Sequence, residues 1–137
     1  MPASRLVGMS VESVEDGVSI CSMIAAEKHW NPFNTVHGGI LCDLADLSMG
    51  VAFMTTLQPG EGLATIELKI NFLRPARTGK LSSKATVTHR GRSTGFVEST
   101  ITDEEGKLIA KASSTCVVVM DERALVWNQK GATNVDS

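Results

Sequence analysis

The segment Gly38-Gly-Ile-Leu-Cys-Asp-Leu-Ala-Asp-Leu-Ser-Met-Gly-Val-Ala-Phe-Met-Thr-Thr56 carries the strongest helical pattern in the chain. Leu41, Leu44, Ala45 and Ser48 recur at the spacing of one helix face, and further apolar side chains occupy the other faces. The pattern predicts a helix from 38 to about 56 that other elements cover on nearly every side. The preceding residues, 27–36, mix polar, aromatic and proline residues without a period and predict a shaped loop.

After the Pro59-Gly60 break the apolar period changes from 3.6 to 2. One face of this predicted half-buried strand carries Ile66, Leu68, Ile70 and Phe72, and the other carries Thr65, Glu67, Lys69 and Asn71. Further predicted strands, joined by turns short enough for antiparallel neighbours, cover 80–90, 94–103 and 107–119. Residues 9–26 predict a hairpin or a bent first strand. One buried helix and a meander of strands predict an α+β domain in which the sheet curls around the helix.

Length and charge narrow the class of protein. The chain has 137 residues, enough for one domain, expected over 1–120, with a polar and partly disordered tail over 121–137. The net charge of −2 gives no basic excess for nucleic acid. Its longest apolar run, Cys116 to Met120, is far shorter than a bilayer span, and residues 1–8 do not resemble a signal peptide. We therefore expect no membrane partner and a cytoplasmic location.

The cysteines and histidines do not form a recognisable metal motif. Cys21, Cys42 and Cys116 are scattered and odd in number, and none of the three histidines is spaced from them like a zinc ligand. The sequence therefore predicts a reducing compartment and no metal site.

Two acidic residues interrupt the apolar helix. Asp43 and Asp46 are three positions apart, which places them about 60° apart around the helix axis, on the same side. They form either a solvent-exposed stripe on an otherwise covered helix or a carboxylate site in a cleft, suited to base or nucleophile chemistry. The residues alone leave both readings open.

The helix begins with His37-Gly38-Gly39. Its first-turn N–H groups have no partners within the helix and therefore suit a developing oxyanion, while glycine lets a ligand approach the backbone closely. The alternative is an ordinary tight turn from loop to helix. A donor site at the helix start, followed nine positions after His37 by Asp46, favours the functional reading.

Other candidates have weaker patterns. Cys42 lies in an apolar helix, where cysteine is usually an inert buried thiol, and Ser48 lacks the Gly-x-Ser-x-Gly elbow of serine hydrolases. The stretch Arg90-Gly-Arg-Ser-Thr94 offers cations, hydroxyls and a flexible bend to a phosphate, but a solvated hairpin turn has the same composition. Arg74 and Arg77 add positive charge nearby or are ordinary surface residues.

The motif Asn31-Pro-x-x-Thr-Val-His-Gly-Gly-x-x-x-x-Leu-x-Asp46 resembles the signature of the hotdog-fold acyl-CoA thioesterases, in the subfamily of the phenylacetate-pathway enzymes. The similarity runs from about Val14 to Val119. The resemblance implies a hotdog fold in which a curved antiparallel sheet wraps one long helix. It also implies hydrolysis of an acyl-CoA, with a small, medium-chain or aromatic acyl group, to the free acid and CoA.

The resemblance also implies roles for individual residues. The N–H of Gly38 would polarise the thioester carbonyl with help from Asn31, and Asp46 would be the nucleophile or the general base. Thr65 would steady the attacking water. His37 is expected to shape the loop rather than to carry a proton. Expected contacts to substrate and CoA are Gly39, Phe72, Arg90, Gly91, Arg92, Ser93 and Thr94.

The same resemblance implies the assembly and the cofactors. Asp46 would come from the opposite subunit of a dimer or a dimer of dimers, so that active sites lie between subunits. CoA is part of the substrate, and no metal or redox cofactor is expected. Asn34 stands where some relatives have glycine. An apolar pocket built from Trp30, Phe33, Phe53 and Met54 is expected, although these residues suit the core equally well.

Two other classes remain as alternatives. A non-catalytic module that binds acyl-CoA or an acyl carrier would keep the phosphate-contacting turn but would not need Asp46. A hydratase or dehydratase on the same fold would use a histidine and an acid on the acyl chain, but its usual loop pattern, which combines His-Phe with Pro-Gly, is missing from this sequence.

Overall fold

A computed structural model describes residues 1–121 of the chain. Within this range the helices are α1 (Pro2–Val7) and α2 (Gly38–Met54), with a short 3-10 turn at Glu27–His29. The strands are β1 (Met9–Glu15), β2 (Val18–Ala25), β3 (Glu61–Phe72), β4 (Gly79–Arg90), β5 (Thr94–Thr102) and β6 (Leu108–Met120). The tail predicted over 121–137 lies, apart from its first residue, outside the described residues.

The six strands form one antiparallel sheet in the order β1-β2-β4-β5-β6-β3. Helix α2 contacts every one of these strands, so the sheet curls around it. This confirms the α+β prediction of a curved antiparallel sheet wrapped around one long helix. The predicted hairpin over 9–26 is confirmed as β1 and β2, whereas α1, which ends at Gly8 in a left-handed conformation, was not predicted.

The expectation that each strand pairs with the next is wrong for β3. This strand pairs with β6 at one edge of the sheet, and the connection over 73–78 crosses to β4, which lies between β2 and β5. A linker of six residues therefore crosses two strands, β6 and β5, before the chain enters β4. The other edge of β3 is unpaired in the described part of the chain.

Helix α2 is covered by the sheet on one side only. Eight of its residues are buried, among them Leu44, Ala45 and Phe53, whereas Gly39, Asp43 and Asp46 are exposed. The prediction of a helix covered on nearly every side is therefore too strong for a single chain. Asp43 and Asp46 do share the open side, as their spacing predicted.

Small residues on the concave face of the sheet let α2 pack closely against it. Ser48 is fully buried, and its hydroxyl donates to the Ala45 carbonyl at 3.0 Å and meets the Ser83 hydroxyl at 2.7 Å. Ser19 donates to the Ser48 carbonyl at 2.6 Å. These hydrogen bonds hold the Ser48 hydroxyl in the core, which argues against Ser48 as a nucleophile.

Gly95 is a position where the close packing leaves no space for a side chain. A Cβ there would overlap the Phe53 ring and lie 3.1 Å from the His89 carbonyl oxygen. We expect Gly95→Ala to lower the free energy of unfolding by about 1–3 kcal/mol through overpacking, measured by urea denaturation. Gly62→Ala, whose nearest neighbours would lie 3.5 Å away, is the matched control and is expected to change it by about 0.5 kcal/mol or less. Equal effects of the two substitutions would contradict this account of the packing.

Candidate active site

The loop before α2 is organised by the side chain of Asn31. Its Oδ1 accepts hydrogen bonds from the Phe33 N–H at 2.9 Å, the Thr35 N–H at 3.3 Å and the Thr35 hydroxyl at 3.2 Å. Asn34 adopts a left-handed conformation with φ 62°, which asparagine tolerates better than most residues and which glycine would adopt freely. Because three donors hold the oxygen of Asn31, its amide NH₂ is the group left for a ligand.

The loop is also fixed at both ends to its neighbours. The indole N–H of Trp30 donates to the Arg77 carbonyl at 2.7 Å, and the Val36 N–H donates to the Ala76 carbonyl at 2.8 Å. The buried His29 accepts from the Ala26 N–H at Nδ1, and its Nε2 lies 2.8 Å from the Val7 carbonyl oxygen. A rigid loop of this kind can present Asn31 in one orientation.

The N–H groups of Gly38 and Gly39, at the start of α2, differ in their hydrogen bonding. His37 caps the helix, and its Nδ1 accepts from the Gly39 N–H at 3.1 Å. The Gly38 N–H has no acceptor within residues 1–121. It is therefore a free donor at the positive end of a helix dipole, the type of group that stabilises an oxyanion. The expectation that His37 shapes this turn agrees with its hydrogen bond.

A cavity of about 330 Å³ opens beside Gly38. Phe72 forms one wall: its ring tip would lie 2.9 Å from a Cβ at position 38, so glycine is needed for this contact. The lining also includes Asn31 and Gly38, the two residues that the resemblance assigns to the thioester carbonyl. The complete lining is Asn31, Thr35, Val36, Gly38, Leu41, Phe72, Leu73, Arg74, Pro75 and Ala76.

The residues expected from the sequence to build an apolar pocket do not line this cavity. Phe53 is fully buried in the core and Phe33 is 82% exposed, and neither they nor Trp30 and Met54 line the space beside Gly38. The connection 73–76 lines it instead. No local pattern indicated this, because the crossover from β3 to β4 brings that connection to the start of α2.

Thr65 lies beside Asp46, and its hydroxyl donates to the Asp46 carboxylate at 3.3 Å. A β-bulge makes this contact possible. Thr65 pairs with Cys116 and Glu67 pairs with Thr115, so Ile66 is an extra residue between them. The strict alternation predicted from the sequence would place Thr65 and Phe72 on opposite faces of β3. Because the bulge adds one residue between them, both side chains face the helix.

The candidate groups form two sets that are well separated along α2. Gly38 and Asp46 are eight positions apart in the helix, which is about 12 Å along its axis. Asn31, Gly38 and Phe72 surround the cavity, whereas Asp46 and Thr65 lie further along the helix and do not line it. Within one chain, a carbonyl held at Gly38 is therefore out of reach of the Asp46 carboxylate.

Cys42, the other nucleophilic side chain on the open part of α2, is held in its thiol form. Partial burial raises the pKa of Cys42 above its ordinary value, and the charges of Asp43 and Asp46 raise it further. Since the thiolate is the reactive form, this environment argues against Cys42 as a nucleophile.

The predicted phosphate-binding turn joins β4 to β5. Its residues Arg92, Ser93 and Thr94 are exposed, and the Gly91 N–H donates to the Thr94 carbonyl at 2.8 Å. Arg90 differs from them because it is partly buried, with its guanidinium 5.1 Å from the centre of the Phe53 ring and hydrogen-bonded to Thr56. The turn lies beside the C-terminal end of α2, far from the Gly38 cavity of the same chain.

Among residues 1–121, no group of three or more histidine, cysteine, aspartate and glutamate side chains could hold a metal ion. All three cysteines are free thiols. No helix in this part of the chain has the length and apolar character needed to cross a membrane.

Comparison with known proteins places this architecture in a family. The model of the thioesterase superfamily matches residues 33–110. The 1,4-dihydroxy-2-naphthoyl-CoA hydrolase of Listeria monocytogenes is 30% identical over 118 residues, which are 86% of this chain and 96% of that protein. Acyl-coenzyme A thioesterase PaaI of Escherichia coli is 29% identical over 110 residues, covering 78% of this chain and 75% of that protein.

Solved structures agree with the sequence comparisons. The structure of the E. coli PaaI protein from the phenylacetic acid degradation operon has a TM-score of 0.82 at 25% identity, covering 87% of this chain and 85% of that one. These similarities confirm the hotdog fold and the resemblance drawn from the motif between Asn31 and Asp46. The chain belongs to the thioesterase superfamily.

Proposed function

We propose that this protein hydrolyses acyl-CoA thioesters to a free acid and CoA. Membership of the thioesterase superfamily supports the reaction class, and the naphthoyl-CoA hydrolase and PaaI relatives support a CoA thioester as the substrate. The observation that carries the proposal is the free Gly38 N–H, which faces no acceptor in the described residues, beside a cavity that Asn31 also lines.

The chemistry follows from these groups. The Gly38 N–H, assisted by the amide of Asn31, binds the thioester carbonyl oxygen and stabilises the negative charge that develops there. Asp46 either attacks the carbonyl carbon itself or removes a proton from a water, held by Thr65, whose oxygen attacks. The carbon–sulfur bond then breaks, and the CoA thiolate takes a proton from Asp46 on the water route or from solvent on the direct route. The direct route leaves the acyl group on Asp46 as an anhydride, which a water then hydrolyses to the free acid and the regenerated carboxylate. Because a thiolate is a good leaving group, this reaction needs no metal or redox cofactor, and CoA enters only as part of the substrate.

A second copy of the chain completes the site in this proposal. The separation of about 12 Å between Gly38 and Asp46 along α2 supports a carboxylate that comes from another subunit. The surface that would meet the second copy is the open side of α2, which carries Gly39, Asp43 and Asp46, and the free edge of β3. Ile66 and Phe72, which are 60% and 52% exposed on β3, would be covered there. We therefore propose a dimer or a dimer of dimers with a two-fold axis across this surface.

CoA itself would extend from the cavity to the turn between β4 and β5. The exposed Arg92, Ser93 and Thr94 offer a cation and two hydroxyls to phosphate, and Gly91 allows the backbone to bend. The turn lies at the C-terminal end of α2, about 24 Å along the axis from Gly38. A partner whose helix runs antiparallel would bring its own turn close to this cavity. We also propose that the enzyme is cytoplasmic, because acyl-CoA is present in the cytoplasm and cysteines stay reduced there.

The test is release of CoA thiol from a panel of short-chain, long-chain and aromatic acyl-CoAs, followed with a thiol-reactive dye. We expect turnover of at least one member, with free acid formed in equal amount. Binding of an acyl-CoA that raises the melting temperature without thiol release would instead support a binding module. A change in double-bond absorbance with the thioester intact would indicate a hydratase or dehydratase.

A further inference from the structure

The guanidinium of Arg90 makes several contacts next to the proposed CoA-binding turn. Its Nε–H donates to the Thr56 hydroxyl at 2.9 Å, and one terminal nitrogen lies 3.5 Å from the Thr56 carbonyl oxygen and 3.9 Å from the Glu61 carboxylate. The other terminal nitrogen donates to the carbonyls of Gly91 and Arg92. The side chain of Arg90 is only 23% exposed.

These contacts join two parts of the protein that are far apart in the sequence. Thr56 lies just beyond the C-terminal end of α2, where backbone carbonyls lack partners and a positive charge is favourable. Gly91 and Arg92 belong to the turn. The Phe53 ring beneath the guanidinium fixes its plane, and Gly95 lies against the same ring. A planar guanidinium with five donors can span this set, whereas a lysine ammonium cannot.

We propose that Arg90 is a positioning residue for CoA binding, rather than a phosphate ligand. It anchors the turn backbone to the end of α2, so that the exposed Arg92, Ser93 and Thr94 are presented to the CoA phosphates in one arrangement. This inference rests on the proposed function, because it assumes that the turn contacts CoA. It replaces the role that the sequence pattern suggested for Arg90 and leaves Arg92 as the cation of the turn that meets phosphate.

A conservative substitution separates the two roles. A phosphate ligand acts mainly through its charge, so lysine at position 90 would preserve much of the CoA binding. An anchor acts through several directed hydrogen bonds, so Arg90→Lys is expected to behave like Arg90→Met. For Arg92, by contrast, lysine is expected to restore most of the binding that Arg92→Ala loses.

The experiment measures kcat and KM with two substrates that carry the same acyl group, one on CoA and one on N-acetylcysteamine, which lacks the nucleotide and its phosphates. We expect Arg90→Met and Arg90→Lys each to raise KM for the acyl-CoA by about tenfold, as the loss of one charge-assisted contact would. We expect kcat with either substrate, and KM for the N-acetylcysteamine thioester, to stay within about twofold of wild type. Comparable loss of activity with both thioesters would show that Arg90 supports the fold as a whole rather than CoA binding, and it would overturn the proposal.

Salt dependence gives a second measurement. Arg92→Ala is expected to flatten the rise of KM for acyl-CoA with ionic strength, because a phosphate-bound cation has been removed. Both Arg90 variants are expected to flatten this rise as well, because a turn that is no longer anchored does not hold Arg92 against the phosphate. The proposal is overturned if Arg90→Lys restores KM, if Arg90→Lys keeps the wild-type slope, or if the Arg90 variants leave KM for acyl-CoA unchanged while wild type turns over both thioesters. Failure of wild type to cleave either thioester would instead reject the proposed function.

Discussion

Asp46→Asn is expected to lower kcat for thioester hydrolysis by about a hundredfold or more, since a positioned acid–base group contributes about 10²–10⁴ in rate. The amide keeps the shape of the side chain and still accepts the hydrogen bond from Thr65, so the folded state is preserved. It can neither attack the thioester nor take a proton from water. The measurement is steady-state thiol release, with the melting temperature recorded for each variant.

Asp43→Asn is the matched control for this substitution. Asp43 lies on the same open side of α2, is exposed as Asp46 is, and has no role in the proposed reaction. We expect its kcat to stay within about threefold of wild type, because the amide keeps the shape of a side chain that lies at the proposed subunit interface but takes no part in the reaction. A comparable loss in both variants would mean that the negative charge of the helix, and not the Asp46 carboxylate, supports activity.

Gly38→Pro is expected to reduce kcat by about a hundredfold to a thousandfold relative to Gly38→Ala, the usual effect of removing one oxyanion donor. Proline lacks the N–H, yet it suits this position because Gly38 is the first residue of α2. The preceding His37 has φ −60° and ψ 136°, an extended conformation that proline accepts in its neighbour. The helix should therefore form in both variants.

Gly38→Ala controls for the added side chain. It keeps the N–H but places a Cβ within 2.9 Å of the Phe72 ring tip, as proline also does. The difference between the two variants therefore isolates the donor, and circular dichroism checks that both retain the helix. Equal activity of Gly38→Pro and Gly38→Ala would show that the N–H of Gly38 does not stabilise the transition state.

Much of the fold follows from local pattern. The helical spacing in α2 and the apolar alternation in the later strands are strong signals, because one buried face must be continuous in each element. The strand order was less accessible, because pairing of β3 with β6 rather than β4 depends on how the sheet closes around α2. The bulge at Ile66 reverses the facing of Thr65, and a single inserted residue of this kind leaves no mark on the composition.

The candidate site likewise combines residues that the sequence could identify with residues that only the tertiary fold brings together. His37, Gly38 and Asp46 are recognisable because they fall within a motif that resembles the signature of a known family, whereas the residues alone leave the role of the acid open. The engagement of Arg90 with Thr56 is not recognisable, since the two residues meet only through the tertiary fold. Leu73 and Ala76 likewise enter the cavity wall because the connection after β3 crosses to the start of α2.

A site shared between two copies of the chain can be tested by mixing two inactive variants. Gly38→Pro lacks the donor and Asp46→Asn lacks the carboxylate, so each homodimer has two defective sites. A mixed dimer has one site with both changes and one with neither. Co-expression in equal amounts from differently tagged genes, followed by tandem purification, isolates the mixed species.

We expect the purified mixed dimer to regain about half of the wild-type kcat, one intact site in two. A one-to-one mixture with random pairing is expected to regain about one quarter. If the mixed dimer is no more active than the two variants alone, while both are folded and paired, Gly38 and Asp46 do not act together across the interface. That result would contradict the proposed two-copy site.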